Sequence, residues 1–179
     1  MVILHHFNEL EEASRFLLLF RFRMIDKDLL TRTVEDFAAD NDLFVVDVNI
    51  TPANEITIEI DSMESIDIDT CAALTRRIEE VFDRDIEDYQ LEVGSAGLTS
   101  PFKVRQQYVK NIGNEVEVLT RDGRKLRGVL IDVAENGEFV IEVPTKVRHE
   151  GAKRPVVEPV PHTFTPDQCK SVCYVINFK

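Results

Sequence analysis

Tryptophan is absent from the chain, and cysteine occurs only at Cys71, Cys169 and Cys173. An odd count without CxxC spacing excludes a disulfide framework and gives no zinc site, so reduced intracellular thiols are expected. Cys169 and Cys173 would share a face on a helix, but the intervening Lys170-Ser171-Val172 leads into a strand-like run, where cysteine acts as a small apolar residue. Long hydrophobic runs are missing too. Residues 16–20, FLLLF, are the longest near the start, far short of the roughly 20 that cross a bilayer. The acidic stretch at residues 8–12 is unlike a secretory n-region. Residues 1–23 are read as a leader or non-native extension, poorly ordered, upstream of a folded pattern that begins at Met24. No internal repeat or low-complexity tract occurs.

Several catalytic signatures are also lacking. Gly94-Ser95-Ala96-Gly97 has neither GK[ST] nor GxSxG around it, which leaves a turn whose glycines permit positive φ where two domains meet. His149 and His162, the only histidines beyond the leader, lie in predicted loops and give a Ser-His-acid arrangement little support. Residues 61–72 superficially match a calcium loop, but Met63, Ser65, Ile66 and Ala72 occupy positions where two ligands, a glycine and a glutamate belong. The crowded carboxylates Glu59, Asp61, Glu64, Asp67 and Asp69 therefore read as a solvated acidic rim. No catalytic residue, cofactor, metal or membrane contact is expected, and the chain is expected to be a cytoplasmic monomer.

What the chain does have is charge, unevenly divided. Apolar residues make up 44% and charged residues 30%, the balance of a globular protein, at net −12. Residues 24–94 carry 20 acidic against 5 basic side chains, net −15, whereas residues 95–179 carry 10 against 13, net +3. A polyanion feels the local field of the half that faces it. The whole-chain acidity therefore does not exclude RNA.

The spacing predicts an α+β architecture in two domains, residues 24–97 and 98–179. Asp26 is placed to cap a helix ending near Asn41. Residues 43–50 and 55–61 alternate as a hairpin, with Phe44, Val46, Val48 and Ile50 on one face and Ile56, Ile58 and Ile60 opposite. Asp67 opens a second amphipathic helix through Ile68, Cys71, Leu74, Ile78 and Phe82, and Tyr89, Leu91 and Val93 form a third strand. The result is an N-terminal αββαβ domain, a three-stranded sheet with both helices on one face. After Pro101 a linker helix over 104–112 stops at Gly113. Strand-like runs at 115–119, 125–133, 138–143, 156–160 and 172–178 follow, joined by Asp122-Gly123, by Asn136-Gly137, by a basic loop at 144–155 and by a helical turn at Thr165-Pro166. They predict a C-terminal SH3-like or Sm-like five-stranded β-barrel.

Basic residues decorate that second domain. Lys103, Arg105 and Lys110 lie on the linker helix; Arg121, Arg124, Lys125 and Arg127 flank a hairpin; Lys146, Arg148, Lys153 and Arg154 sit in the long loop. These are the candidate RNA- or ribosome-binding residues, by contact with phosphates. Aromatic residues able to stack on bases are few: Tyr108, Phe139 and Tyr174. The acidic half repels RNA and attracts a basic partner instead.

Specific motifs carry a resemblance. Residues 91–98 (LEVGSAGL) with Pro101-Phe-Lys, then Ile112-Gly113, Val116-Glu-Val, Asp122-Gly123-Arg-Lys-Leu and Arg127-Gly128-Val-Leu, together with Asp69–Arg76 and the closing Tyr174-Val-Ile-Asn-Phe-Lys, make the chain similar to the bacterial ribosome maturation factor RimP family. The resemblance covers residues 24–179. It implies the two-domain fold above, no catalysis, and a role in maturing the small (30S) ribosomal subunit by binding the free subunit, its ribosomal RNA and the basic ribosomal protein of the decoding region. Gly94, Ser95, Gly97 and Pro101, with Glu59 and Asp61, would form the hinge and ribosomal-protein contact. The chain has Gly94, Ala96 and Ser100 where the family's turn carries serine, proline and arginine, so no basic contact transfers to Ser100. Two rivals remain: an Sm-like RNA-binding regulator acting on non-ribosomal RNA, and a metal-dependent hydrolase using the carboxylates at 59–69.

Overall fold

The computed structural model describes residues 25–148 and 154–176. The expectations for residues 1–23, His149 and Lys153 lie outside the described residues.

Helix α1 (Lys27–Asp40) begins where the Asp26 carboxylate accepts hydrogen bonds from the backbone N–H groups of Asp28 and Leu29 at 3.0 and 3.1 Å. Such a cap satisfies amides that the helix itself leaves unpaired. Strands β1 (Leu43–Ile50) and β2 (Glu55–Ser62) form the antiparallel hairpin. Asp67 caps α2 (Ile68–Val81), after which β3 (Gln90–Ser95) joins β2 in parallel, giving the order β1-β2-β3. Leu30 and Val34 of α1, Leu74 and Ile78 of α2, and Ile56, Ile58 and Ile60 of β2 make one buried cluster. Both helices therefore cover the same side of the sheet. By the two-residue period of a strand, Thr57, Glu59 and Asp61 face the other side.

Two details differ from expectation. A β-bulge between Val45 and Asp47 shifts the register, so Val45 and Val48 pair with Ile60 and Ile58 on the core side while Phe44 pairs with Asp61 on the open side. The extra residue reverses the alternation that would have put Phe44, Val46 and Val48 together. Ile68, counted among the apolar helix positions, is 83% exposed at the first turn of α2, where the helix has not yet reached the sheet.

The second half has its own core. A linker through Pro101 leads into α3 (Arg105–Lys110), shorter than expected, and Gly113 has φ +88°, the left-handed conformation required just past a helix end. Strands β4 (Glu115–Thr120), β5 (Lys125–Val133), β6 (Phe139–Val147), β7 (Val156–Phe164) and β8 (Cys169–Tyr174) form one antiparallel sheet in the order β7-β6-β5-β4-β8, with a 3-10 turn at Pro166–Gln168 before β8. The expected loop at 144–155 is much shorter. Pairing of β6 with β7 continues past the opposed Pro144 and Pro159 out to Val147 and Val156. The last strand starts at Cys169, three residues early, because Thr120 pairs with Cys169 past a second bulge.

Gly128 marks where β5 crosses closest to β6. A Cβ there would lie 2.3 Å from the backbone oxygen of Glu142, a neighbour that cannot rotate away. Gly128→Ala is expected to cost about 1–3 kcal/mol through overpacking. Urea unfolding checks this: the midpoint should fall with little change in slope.

Candidate functional site

The linker residues occupy the space between the two halves. The Phe102 amide donates to the Val172 carbonyl at 2.8 Å, which ties the linker to β8, and the buried Gln107 side chain accepts from the Lys103 amide at 2.7 Å, which starts α3. Phe102 packs edge-on against Tyr108, with ring centres 5.0 Å apart, and Tyr108 packs against Phe139 at 5.1 Å. Burial, with smaller contributions from Cys169 and Cys173, pushes the Tyr108 hydroxyl up to about 12. Tyr108 and Phe139 are thus core residues and are not available to stack on bases, contrary to expectation. Tyr174 is partly exposed beside the cleft described below.

With α3 held this way, Lys110 at its end and Lys103, which lies ahead of the helix and not on it as expected, reach back to the open face of the first sheet. Lys103 Nζ lies 2.8 Å from both Asp47 Oδ2 and Glu59 Oε2, and Lys110 Nζ lies 2.8 Å from Asp61 Oδ1. Register explains the grouping: Asp47 pairs directly with Glu59 across β1 and β2, and Asp61 follows on the same side. Hydrogen bonds to Asp47 and then Glu59 raise the Lys103 ammonium above its ordinary 10.5. A raised amine contributes stability in full below its unfolded value and loses it as pH rises through the folded one. On the alkaline side, the contact between halves is therefore expected to hold through neutral and mildly alkaline pH and to release in strong alkali. Side-chain amine NMR of Lys103 across that range checks the expectation.

Beside this clasp runs a cleft of about 620 Å³, with Asp61, Met63 and Glu64 on one wall, Gly97 and Leu98 at its end, and Phe102, Lys110, Tyr174 and Ile176 on the other. Met63 and Leu98 are 53% and 74% exposed, an apolar rim beside carboxylates. Gly94 and Ser95 belong to β3 and do not form a turn, and neither Gly94 nor Gly97 has positive φ. The ladder carries on past them, because the Ala96 amide donates to the Ile60 carbonyl at 3.2 Å. The turn proper comes later, closed by the Ser100 amide on the Gly97 carbonyl at 2.9 Å, just before Pro101.

The other basic candidates divide into paired and unpaired. Arg124 bridges Asp122 at 2.7 Å, and Lys125 and Arg127 both bridge Glu117 at 2.8 Å. Lys125 and then Arg127 hold the Glu117 carboxyl below the usual range, and hydrogen bonds from Thr120 and then Arg124 do the same for Asp122. Arg105 donates to the carbonyls of Ala134 and Val133 at 2.9 and 3.5 Å. Arg121, Lys146 and Arg154 are exposed and form no ion pair among the described residues; Arg148 is also exposed. A smaller groove of about 180 Å³ brings Lys103 and Arg105 together with Lys170. Lys170 was not singled out from the sequence, since it is far along the chain from the others. The hydrogen bond from Phe102 to Val172, which ties the linker to β8, is what returns it to them. Among the described residues no group of three or more His, Cys, Asp or Glu side chains is placed to hold a metal ion, and no helix is long and apolar enough to cross a membrane.

The sequence matches the family model described as the RimP N-terminal domain over residues 33–99, from within α1 to the turn after β3. Ribosome maturation factor RimP of Porphyromonas gingivalis strain W83 is 48% identical over 131 residues, covering 73% of this chain and 86% of that protein. The chain belongs to the RimP family. Other RimP proteins are more distant. That of Christiangramia forsetii is 39% identical over 88 residues, 49% of this chain and 58% of its own length. That of Cytophaga hutchinsonii is 29% identical over 147 residues, 77% and 88% respectively. These RimP proteins are named as ribosome maturation factors and not as enzymes.

Proposed function

We propose that the chain is a non-enzymatic, cytoplasmic ribosome maturation factor that binds the free small subunit during its assembly. Residues 98–179, with the second sheet curled as an SH3-like barrel, touch ribosomal RNA through Arg121, Lys146 and Arg154. Residues 24–97 and the hinge hold a basic ribosomal protein of the decoding region. The observation that carries this reading is the partition of charge: net −15 before the hinge and net +3 after it, in a member of a family named for ribosome maturation. Acidic surface steers a basic protein and turns RNA away, while exposed cations outside ion pairs meet phosphates at little cost. Deleting the gene is expected to accumulate free small subunits carrying untrimmed precursor RNA. Gradient profiles and RNA end-mapping test this, and profiles identical to the parent strain would refute the role.

A further inference from the structure

In the free protein Lys103, ahead of α3, and Lys110, at its end, are neutralised from within, one by Asp47 and Glu59 and the other by Asp61. Asp61 and Lys110 also line the cleft between the halves. A cation that reaches Asp61 there meets a carboxylate already occupied by a lysine. We propose that the cleft takes an extended basic segment of a protein, with an apolar side chain against Met63, Leu98 and Tyr174 and a lysine or arginine on Asp61, and that its binding frees Lys110 to contact RNA.

This rests on the reading of the two halves given above and adds that they are coupled. The choice of occupant follows from complementarity. Glu64 stands in the same wall as Asp61, the run to Asp69 adds Asp67, and exposed Met63 and Leu98 offer an apolar seat that RNA has no use for. A strongly acidic neighbourhood repels a second copy of the same half and any nucleic acid. Asp61, one of the carboxylates that hold the halves together, thus masks a phosphate contact until a basic protein claims it. Affinity for one ligand then raises affinity for the other, as reciprocity requires.

Charge-matched substitutions in the full chain separate this from general electrostatics. Asp61→Asn releases Lys110 without any protein ligand, and Asp36→Asn removes the same charge from an exposed face of α1. Binding of a single-stranded oligouridylate should strengthen about threefold in Asp61→Asn, with a salt slope steeper by about 0.7, the value of one added phosphate contact on single strands. Asp36→Asn should leave the slope unchanged. Conversely, a short synthetic peptide of lysine and leucine should bind Lys110→Ala about two- to threefold more tightly than Arg76→Ala, since an intramolecular competitor has been removed. If wild type binds both probes but each pair of variants behaves alike, the coupling is wrong and the division of labour stands. If wild type binds neither, both fall. Oligouridylate competing with the peptide for the cleft would also overturn the proposal.

Discussion

Phe139→Ala is expected to remove about 3–5 kcal/mol from the stability of the C-terminal half, the usual cost of emptying a fully buried phenylalanine site. Phe139 has no solvent exposure and stands in the middle of a ring series, 5.1 Å from Tyr108 and 5.8 Å from Phe164. Rings that meet at tilted angles contribute beyond the area they bury, and here they connect β6 to β7 and to the linker. The cavity would open directly beneath α3, so Lys110 should lose its fixed approach to Asp61. The N-terminal core, a separate cluster built on Ile56, Ile58 and Ile60, does not include this ring. Hydrogen exchange should therefore show protection falling across β4 to β8 far more than across β1 to β3. The thermal midpoint of the C-terminal half should drop by more than about 10 °C. Equal loss of protection in both halves would show that the two cores are not independent.

The second large effect concerns charge. Reversing Arg121, Lys146 and Arg154 to glutamate in one variant is expected to weaken binding to ribosomal RNA by at least about a hundredfold at low salt and to reduce the salt slope by about 2. Reversing Arg124, Lys125 and Arg127 should do less, although it changes the same formal charge. Arg124 is matched by Asp122, and Lys125 and Arg127 share Glu117, so those three present about one net positive charge between them. Exposed bridges of this kind are weak in free energy, but their carboxylates still repel a phosphate that approaches the lysine or arginine beside them. Filter binding across a salt series distinguishes the two variants. Equal losses would mean that the bridges open freely and that pairing does not rank the cations.

Much of the architecture was legible in the sequence because its signals are local. Asp26 and Asp67 announced their helices, Ile56, Ile58 and Ile60 announced a half-buried strand, and Gly113 announced a helix end, each through chemistry acting over a few residues. The misplaced elements share a different cause. The bulge after Val45 reverses a strand's faces, and the one beside Thr120 moves the start of β8, and both are fixed by the partner strand. The family resemblance drawn from residues 91–98 and the Asp122-Gly123 hairpin was sound, whereas the roles assigned to single residues were less so. Lys103 and Lys110 read as exposed phosphate contacts, yet both are held by carboxylates 44–56 positions away. Phe139 and Tyr108 read as stacking surfaces and prove to be core. Composition reveals how many cations a segment has; only the fold reveals which of them another residue has already claimed.

The most direct test of the central claim, that opposite charges on the two halves divide the work between a basic protein and RNA, is sedimentation of the full chain with ribosomal subunits over a range of salt. The account predicts co-migration with free small subunits at low salt, progressive release as salt rises, and no retention on joined ribosomes. A chain that stays at the top of the gradient at every salt concentration, or that remains bound regardless of salt, would contradict it.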